Sequence, residues 1–299
     1  MTSLPCGVLN ISKPAGPSSY DIIRQLKRQL HLPRCRIGHA GTLDPAAAGV
    51  LLILLQDATK LSHLLMAETK EYRAEILLGQ ATDTDDTTGR IVQTLPVPDL
   101  TEAAVRAALQ AFIGTIEQVP PAFSAIKQQG RPLYRLARRG ETVTARARTV
   151  TIHWLELVDL TLPRLTLLAE VSSGTYIRAL ARDLGRALGT CATLASLVRT
   201  RCGRFCLDES IAPAAVTPDS LAGLITGVAD ALPGLVRLEL PLQSARGLQH
   251  GKAVPTPEPL PPAATALAMT SDRSFVALVT RTEEGRLACR RIICCHDKS

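Results

Sequence analysis

The chain has 299 residues, of which 46% are hydrophobic and 3% aromatic, and it carries a formal net charge of +7. That apolar content excludes a disordered chain, and the length allows one large domain plus a small one. The longest apolar run, Ala46 to Leu55, falls far short of the ~20 residues that a membrane helix needs. Met1 to Ser12 has no apolar signal-peptide core, so a cytoplasmic location without membrane contact is expected. The positive charge suits a polyanionic partner. The cysteines form no CxxC pair, and no second pair answers Cys202 and Cys206, so reduced thiols and no metal are expected.

Gly7 to Ile11 is a short β-prone run, broken by Lys13-Pro14-Ala15-Gly16-Pro17. Ser18 and Ser19 then precede the amphipathic stretch Tyr20 to Leu30, as helix-capping residues do. Arg24, Lys27, Arg28, Arg34 and Arg36 give this region a basic face, suited to solvent or to phosphates. Next comes Gly38-His39-Ala40-Gly41-Thr42-Leu43-Asp44-Pro45, ahead of an apolar run that reads as a buried strand or helix. Pro45 fixes its own φ and pushes Asp44 away from helical ψ. Asp44 therefore reads as a carboxylate on a stiff loop before a core element, as a reactive acid is presented. An Asp that merely closes a turn has the same signature.

Lys70 to Gly79 alternates as a strand and leads through Asp83 to Gly89 into Arg90-Ile91-Val92, a hairpin with a long connection. The Asp cluster there lacks the spaced Glu of a calcium loop. Thr101 caps a helix running to about Ile113, where Gly114 stops it. Lys127 to Arg148 is the most basic stretch, with Lys127, Arg131, Arg135, Arg138 and Arg139 set around Tyr134. Arginines with an interleaved tyrosine suit phosphate clamping and base stacking. Val150 to Leu157 and Leu165 to Val171 read as strands, and a helix is expected from about Ala179 to Leu188. Ala231-Leu232-Pro233-Gly234 reads as a domain junction. Short β-like runs follow at Val236 to Leu240, Ala266 to Thr270, Phe275 to Val279 and Cys289 to Ile293, with a turn expected over Gly247 to Val254.

The stretch Gly38 to Pro45, with Gly49 and Ala58-Thr59-Lys60, resembles the active-site motif of TruB-type tRNA pseudouridine synthases, usually G-H-T-G-x-L-D-P. Ala40 stands where that motif has Thr, so a hydroxyl is missing here. Lys13 to Ser19, Thr82 to Gly89, Gln118 to Ala125 and Ser172 to Arg178 also resemble family segments, in order along the chain. Leu248 to Val254 resembles part of a PUA domain, a small RNA-binding β-barrel.

The resemblance implies an α+β fold: a central mixed, mainly antiparallel sheet flanked by helices, plus a small C-terminal β-barrel. It implies a pseudouridine synthase catalytic domain over 1–231, with a basic RNA-clamping insertion at about 124–150, and a PUA-like domain over 232–299. It further implies isomerisation of uridine 55 in the T-loop of tRNA to pseudouridine. No cofactor would be needed, the partner would be the tRNA T-stem-loop, and the enzyme would act as a monomer without an obligate protein partner. The residues carried over are Asp44 as nucleophile, Arg178 as its ion-pair partner and Tyr72 stacking on the target base. His39, Lys60, Tyr176 and Leu197 are carried over as further substrate contacts.

This isomerisation breaks the N1–C1′ bond of uridine and rejoins the base through C5, with no net redox change. A carboxylate nucleophile must be ionised, and a nearby arginine favours that form. Attack at C6, attack at C1′ and removal of a ribose proton all use the same Asp, and the sequence leaves the three open. A uridine inside folded RNA must first be extruded, at a cost of about a few kcal/mol. The competing readings are a catalytically silent RNA-binding or tRNA-folding protein, a glycoside hydrolase and a guide-RNA-dependent synthase. The hydrolase needs a second placed carboxylate, and the basic insertion favours a stand-alone enzyme over a guided one.

Overall fold

The computed structural model describes residues 5–32, 35–124, 127–128, 131–132 and 145–295. Strand β1 (Gly7–Lys13) leads into helix α1 (Ser19–Gln29), then β2 (Ile37–Ala40) and β3 (Ala48–Leu55). A 3-10 turn (Gln56–Leu61) and α2 (Ser62–Ala67) precede β4 (Lys70–Leu78) and the hairpin of β5 (Gln80–Thr82) and β6 (Ile91–Thr94). Helix α3 (Glu102–Gln110) and β7 (Gly114–Gln118) follow, then the short pair β8 (Lys127–Gln128) and β9 (Arg131–Pro132). Next are β10 (Arg148–Thr161), β11 (Arg164–Val171), α4 (Ile177–Ala187), β12 (Ala192–Cys202) and β13 (Phe205–Cys206). The remainder holds α5 (Leu221–Leu224), α6 (Val228–Ala231), β14 (Val236–Glu239), α7 (Leu242–Gln249), β15 (Val254–Pro255), β16 (Thr265–Met269), β17 (Phe275–Arg281) and β18 (Arg286–Cys295).

The larger sheet has the order β1-β3-β12-β4-β11-β10-β7, with β2 also on β3 and β13 on β12. Its pairings are antiparallel except β12 with β3, so it is the mixed, mainly antiparallel sheet expected. β3 is the strand around which the site is built. One edge carries β1; the other is shared end to end by β12, at Ala48 and Gly49, and by β2, at Leu52 to Leu55. The loop 41–47 that joins β2 to β3 therefore emerges at the junction of two abutting strands.

The unbroken apolarity of β3 has a simple cause: both faces are covered. Leu51, Ile53 and Leu55 join an apolar cluster with Ile22, Leu26, Tyr72 and Ile76. Val50, Leu52 and Leu54 face the opposite cluster, which includes Leu267, Met269 and Leu278 of the second sheet. That second sheet has the order β14-β16-β17-β18-β15, and its apolar face is thus continuous with the back of the first. β4 shows the other pattern, with Tyr72, Ala74, Ile76 and Leu78 inward and alternate residues facing out.

α1 starts where the two serines place it. Ser18 accepts from the Asp21 N–H at 3.2 Å while Asp21 accepts from the Ser18 N–H at 2.9 Å, a reciprocal capping box. Elsewhere the local signals misled. Gly38 to Ala40, read as loop, is the strand β2. The helix expected from Ala179 begins at Ile177, which puts Arg178 inside its first turn. Gly247 to Gln249 belongs to helix α7 rather than to a turn, because Ala245 and Leu248 pack into the small sheet's core. Of the basic stretch, Lys127 and Arg131 fall on the β8–β9 pair. Arg34, Tyr134, Arg135, Arg138 and Arg139 lie outside the described residues. No helix among the described residues is long and apolar enough to cross a membrane.

Candidate active site

Loop 41–47 is tied down on every side but one. The Ser19 hydroxyl bonds both the N–H and the carbonyl of Leu43, each at 3.0 Å. The Gly16 N–H reaches the Pro45 carbonyl at 2.8 Å. Beneath the loop the buried Lys13 ammonium donates to the carbonyls of Ala47 at 2.6 Å, Pro14 at 2.8 Å and Pro45 at 3.3 Å. Burial pushes the Lys13 pKa down; the Asp44 charge opposes that shift and Arg199 adds to it.

Arg199 is the second buried cation of this floor. It lies on β12 where that strand gives way to β2 along β3, so the Val50 carbonyl lacks a strand partner on that edge. The Arg199 Nε fills the gap with a 2.7 Å bond to the Val50 carbonyl, and its Nη2 reaches the Gly41 carbonyl at 3.0 Å. Gly49 makes this approach possible: a Cβ there would stand 2.2 Å from the Arg199 carbonyl oxygen, and the Gly49 φ is +106°. Buried carbonyls need donors, and two cations supply them at the root of the Asp44 loop.

Asp44 projects from this anchored loop with 47% of its side chain exposed, whereas Arg178 opposite it is 7% exposed. The Arg178 Nη2 stands 2.9 Å from Asp44 Oδ2. The same guanidinium donates to the carbonyls of Thr84 at 3.0 Å and Phe123 at 3.1 Å, and lies 3.7 Å from Asp86 Oδ2. Its orientation is therefore fixed whether or not Asp44 is engaged, and a guanidinium can serve several acceptors at once.

The loop 83–89 that holds Arg178 is itself fixed to β12. The Leu194 N–H bonds the Asp85 carbonyl at 3.1 Å, and the Thr87 N–H bonds the Leu194 carbonyl at 3.0 Å. Asp85 pairs with Arg182, one turn beyond Arg178, at 2.9 Å. Burial raises the Asp85 pKa, with Arg182 opposing the rise. Gln118 closes the far side: its amide accepts from the Tyr176 N–H at 2.8 Å and donates to the Tyr176 carbonyl at 3.2 Å.

The remaining sequence candidates divide. Tyr176 is half-buried, and its phenol pKa is raised by burial, against the pull of Ser124, Arg148 and Arg178; the Asp44 charge adds to the rise, so this ring faces the ion pair. Tyr72 is buried in the cluster that contains Leu43 and Ala47, the apolar neighbours of Asp44 in its loop. Leu197 sits across from Ala74 and packs against the same cluster. His39 is half-buried on β2, with its Nδ1 enclosed and without a hydrogen-bond partner among the described residues. Burial, then Arg199, lowers its pKa. Lys60 is committed elsewhere: it bonds Asp57 at 2.9 Å and the Ile292 carbonyl of the small sheet at 2.8 Å. Sequence reasoning left out Lys13, Arg199, Asp86 and Gln118. Only Lys13, in its Lys-Pro pair, carried a local signal.

This arrangement sets one accessible carboxylate against a fixed guanidinium at the mouth of a sheet. Residues 27–177 match the model of the TruB family pseudouridylate synthase N-terminal domain. A tRNA pseudouridine synthase B from Gloeobacter violaceus is 49% identical over 257 residues, covering 83% of this chain and 86% of the relative. The chain belongs to the TruB family. It is accordingly a pseudouridine synthase, an isomerase. A tRNA pseudouridine synthase B from Chromohalobacter salexigens is 39% identical over 290 residues, covering 96% of this chain and 94% of that one. Among solved structures, a chain of a Cbf5-Nop10-Gar1 complex superposes with a TM-score of 0.74 at 25% identity, over 97% of this chain and 86% of that chain. A chain of an H/ACA RNP bound to a substrate RNA containing 2′-deoxyuridine gives 0.73 at 23% identity, over 97% of this chain and 86% of that chain, a likeness of fold. The α+β pseudouridine synthase fold thus extends to the five-stranded C-terminal sheet, which is consistent with a PUA-like domain.

Proposed function

We propose that this TruB-family chain converts uridine 55 in the T-loop of tRNA to pseudouridine, with Asp44 as the nucleophile on a flipped-out uridine. The observation that carries this reading is the Asp44–Arg178 pair, an open carboxylate held 2.9 Å from a buried guanidinium. Arg178 is bound by the carbonyls of Thr84 and Phe123, so an incoming nucleoside can engage Asp44 without Arg178 losing its position. Tyr72 and Leu197 form the apolar side against which the detached uracil is kept, and Tyr176 flanks the ion pair. In the reaction N1 leaves C1′, the base turns, C5 bonds C1′, and the C5 proton passes to solvent while N1 gains one. The relatives' name, tRNA pseudouridine synthase B, supports tRNA as the substrate.

The chain acts as a monomer in the cytoplasm, without an obligate protein partner. Residues 1–231 form the catalytic unit, residues 232–299 a PUA-like RNA-binding unit, and the basic stretch around Lys127 to Arg139 grips the T-stem-loop. His39 helps to hold the flipped nucleotide. Lys60, bonded to Asp57 and to Ile292, acts on RNA only by way of the junction between the two sheets.

The test uses unmodified tRNA transcript tritiated at C5 of uridine, with the product residue mapped. Wild type is expected to release tritium from position 55, and Asp44→Ala to bind the transcript without release. Binding without release by both proteins would replace the synthase reading with that of an RNA-folding protein.

A further inference from the structure

The helix that braces the Asp44 loop also has an outer face. Ser19 of α1 bonds Leu43, the neighbour of Asp44, and the next residue is Tyr20. Tyr20 is 64% exposed, whereas Tyr72 and Tyr176 are enclosed. An aromatic ring left in water gives up the gain from burial, and this one stands at the lip of the cleft. Arg24 lies over it, its Cζ 5.8 Å from the ring centroid, within cation–π reach. Arg28 is exposed one turn further on, and Lys27 is half-exposed beside it. Tyr20, Arg24 and Arg28 fall four residues apart, so they share one face of α1 over about 12 Å.

The acid nearest this stripe is already engaged. Asp21 accepts from the Ser18 N–H at 2.9 Å and from its hydroxyl at 2.6 Å, and pairs with Arg24. Arg24 keeps further N–H donors for another acceptor. An aromatic face beside the cleft, with cations leading away from it, is the chemistry that receives an unpaired RNA strand: a base on the ring, phosphates on the arginines.

We propose that the Tyr20–Arg24–Arg28 stripe is an RNA-docking surface, on which Tyr20 stacks a base next to the extruded uridine while Arg24 and Arg28 hold the adjoining phosphates. This rests on the tRNA reading above. The stripe is separate from the basic stretch around Lys127 to Arg139 and enters the same cleft from the side of α1.

The experiment measures Kd for unmodified tRNA transcript over a range of salt, together with single-turnover tritium release at saturating tRNA. The proteins are wild type, Tyr20→Ala, Tyr20→Phe and the double variant Arg24→Ala/Arg28→Ala. Tyr20→Ala is expected to weaken Kd by at least about fivefold, the lower end of base stacking on an aromatic, and Tyr20→Phe by less than about twofold. The double variant is expected to flatten the slope of log K against log salt by about 1.5, for two phosphates released. The loss lies in binding, so release at saturating tRNA falls far less than Kd. Wild-type Kd and salt slope in the variants would overturn the proposal. An equal loss in Tyr20→Phe and Tyr20→Ala would overturn the stacking role. Wild type that binds but releases no tritium would sink the synthase reading alone, and the Kd values would still decide the stripe.

Discussion

Two aspartate-bearing loops meet at Arg178, and they are built in opposite ways. The Asp44 loop is anchored through its backbone, by Ser19, Lys13 and Arg199, and its one carboxylate is left 47% exposed. The loop 83–89 uses its side chains as anchors: Asp86 accepts from the Thr84 hydroxyl at 2.8 Å and the Thr88 N–H at 3.0 Å, and Asp85 is paired with Arg182. Asp85 and Asp86 are each 15% exposed. Where the backbone is satisfied by other groups, a side chain is free to react. Where side chains satisfy the loop, they become structure. The first loop presents a reagent, and the second holds the arginine that faces it.

Asp44→Asn breaks the contrast most sharply. It removes the reagent and leaves every listed backbone bond of its loop in place, so turnover is expected to fall by at least about a thousandfold. Binding of tRNA transcript should stay within a few-fold, and single-turnover assays paired with filter binding check both. Arg178→Lys comes next. A single ammonium cannot reach Asp44 and the carbonyls of Thr84 and Phe123 together, and a loss of about a hundredfold in turnover is expected, with Kd little changed.

Gly49→Ala attacks the floor of the first loop rather than its reagent. The new Cβ meets the Arg199 backbone and takes up an unfavourable positive φ, so the fold is expected to lose about 2 kcal/mol or more. Urea denaturation reads that loss, and retention of the wild-type midpoint would show that Arg199 is not fixed as described.

The smallest effect sharpens the second loop. The Asp85 pKa is raised in the folded protein above its ordinary 3.8, chiefly by burial. A raised folded pKa favours the protonated native state, so this contribution to stability is present below pH 3.8 and is lost as pH rises through the folded value. The stability of wild type minus that of Asp85→Asn should therefore decline over that window, by at most about 1.4 kcal/mol per pH unit. Denaturation at stepped pH checks the sign, and a difference that grows with pH would show that Arg182 outweighs burial.

Several features were decided by the sequence alone. The serines before Tyr20 and the acid at Asp21 are a local instruction for the start of α1, because capping involves groups within one turn. The alternation of Lys70 to Leu78 fixed β4 and which side Tyr72 faces. Pro45 after Asp44 fixed a stiff presentation of the carboxylate. The pairing of Asp44 with Arg178 was readable through family resemblance, since nothing in the spacing of two residues so far apart encodes a 2.9 Å contact.

Tertiary structure decided the rest. The run Ala48–Leu55 could be strand or helix until sheet and helix packing covered both its faces. Arg199 looked like one more basic residue near the end of a strand. Its role exists only because β2 and β12 abut along β3 and leave the Val50 carbonyl in need of a donor. Lys60 lay inside a family-like segment, yet its ammonium is bound at the contact with the small sheet. Backbone hydrogen bonding must balance over the whole fold, and no window of sequence shows which carbonyl will lack a partner or which distant side chain will supply it.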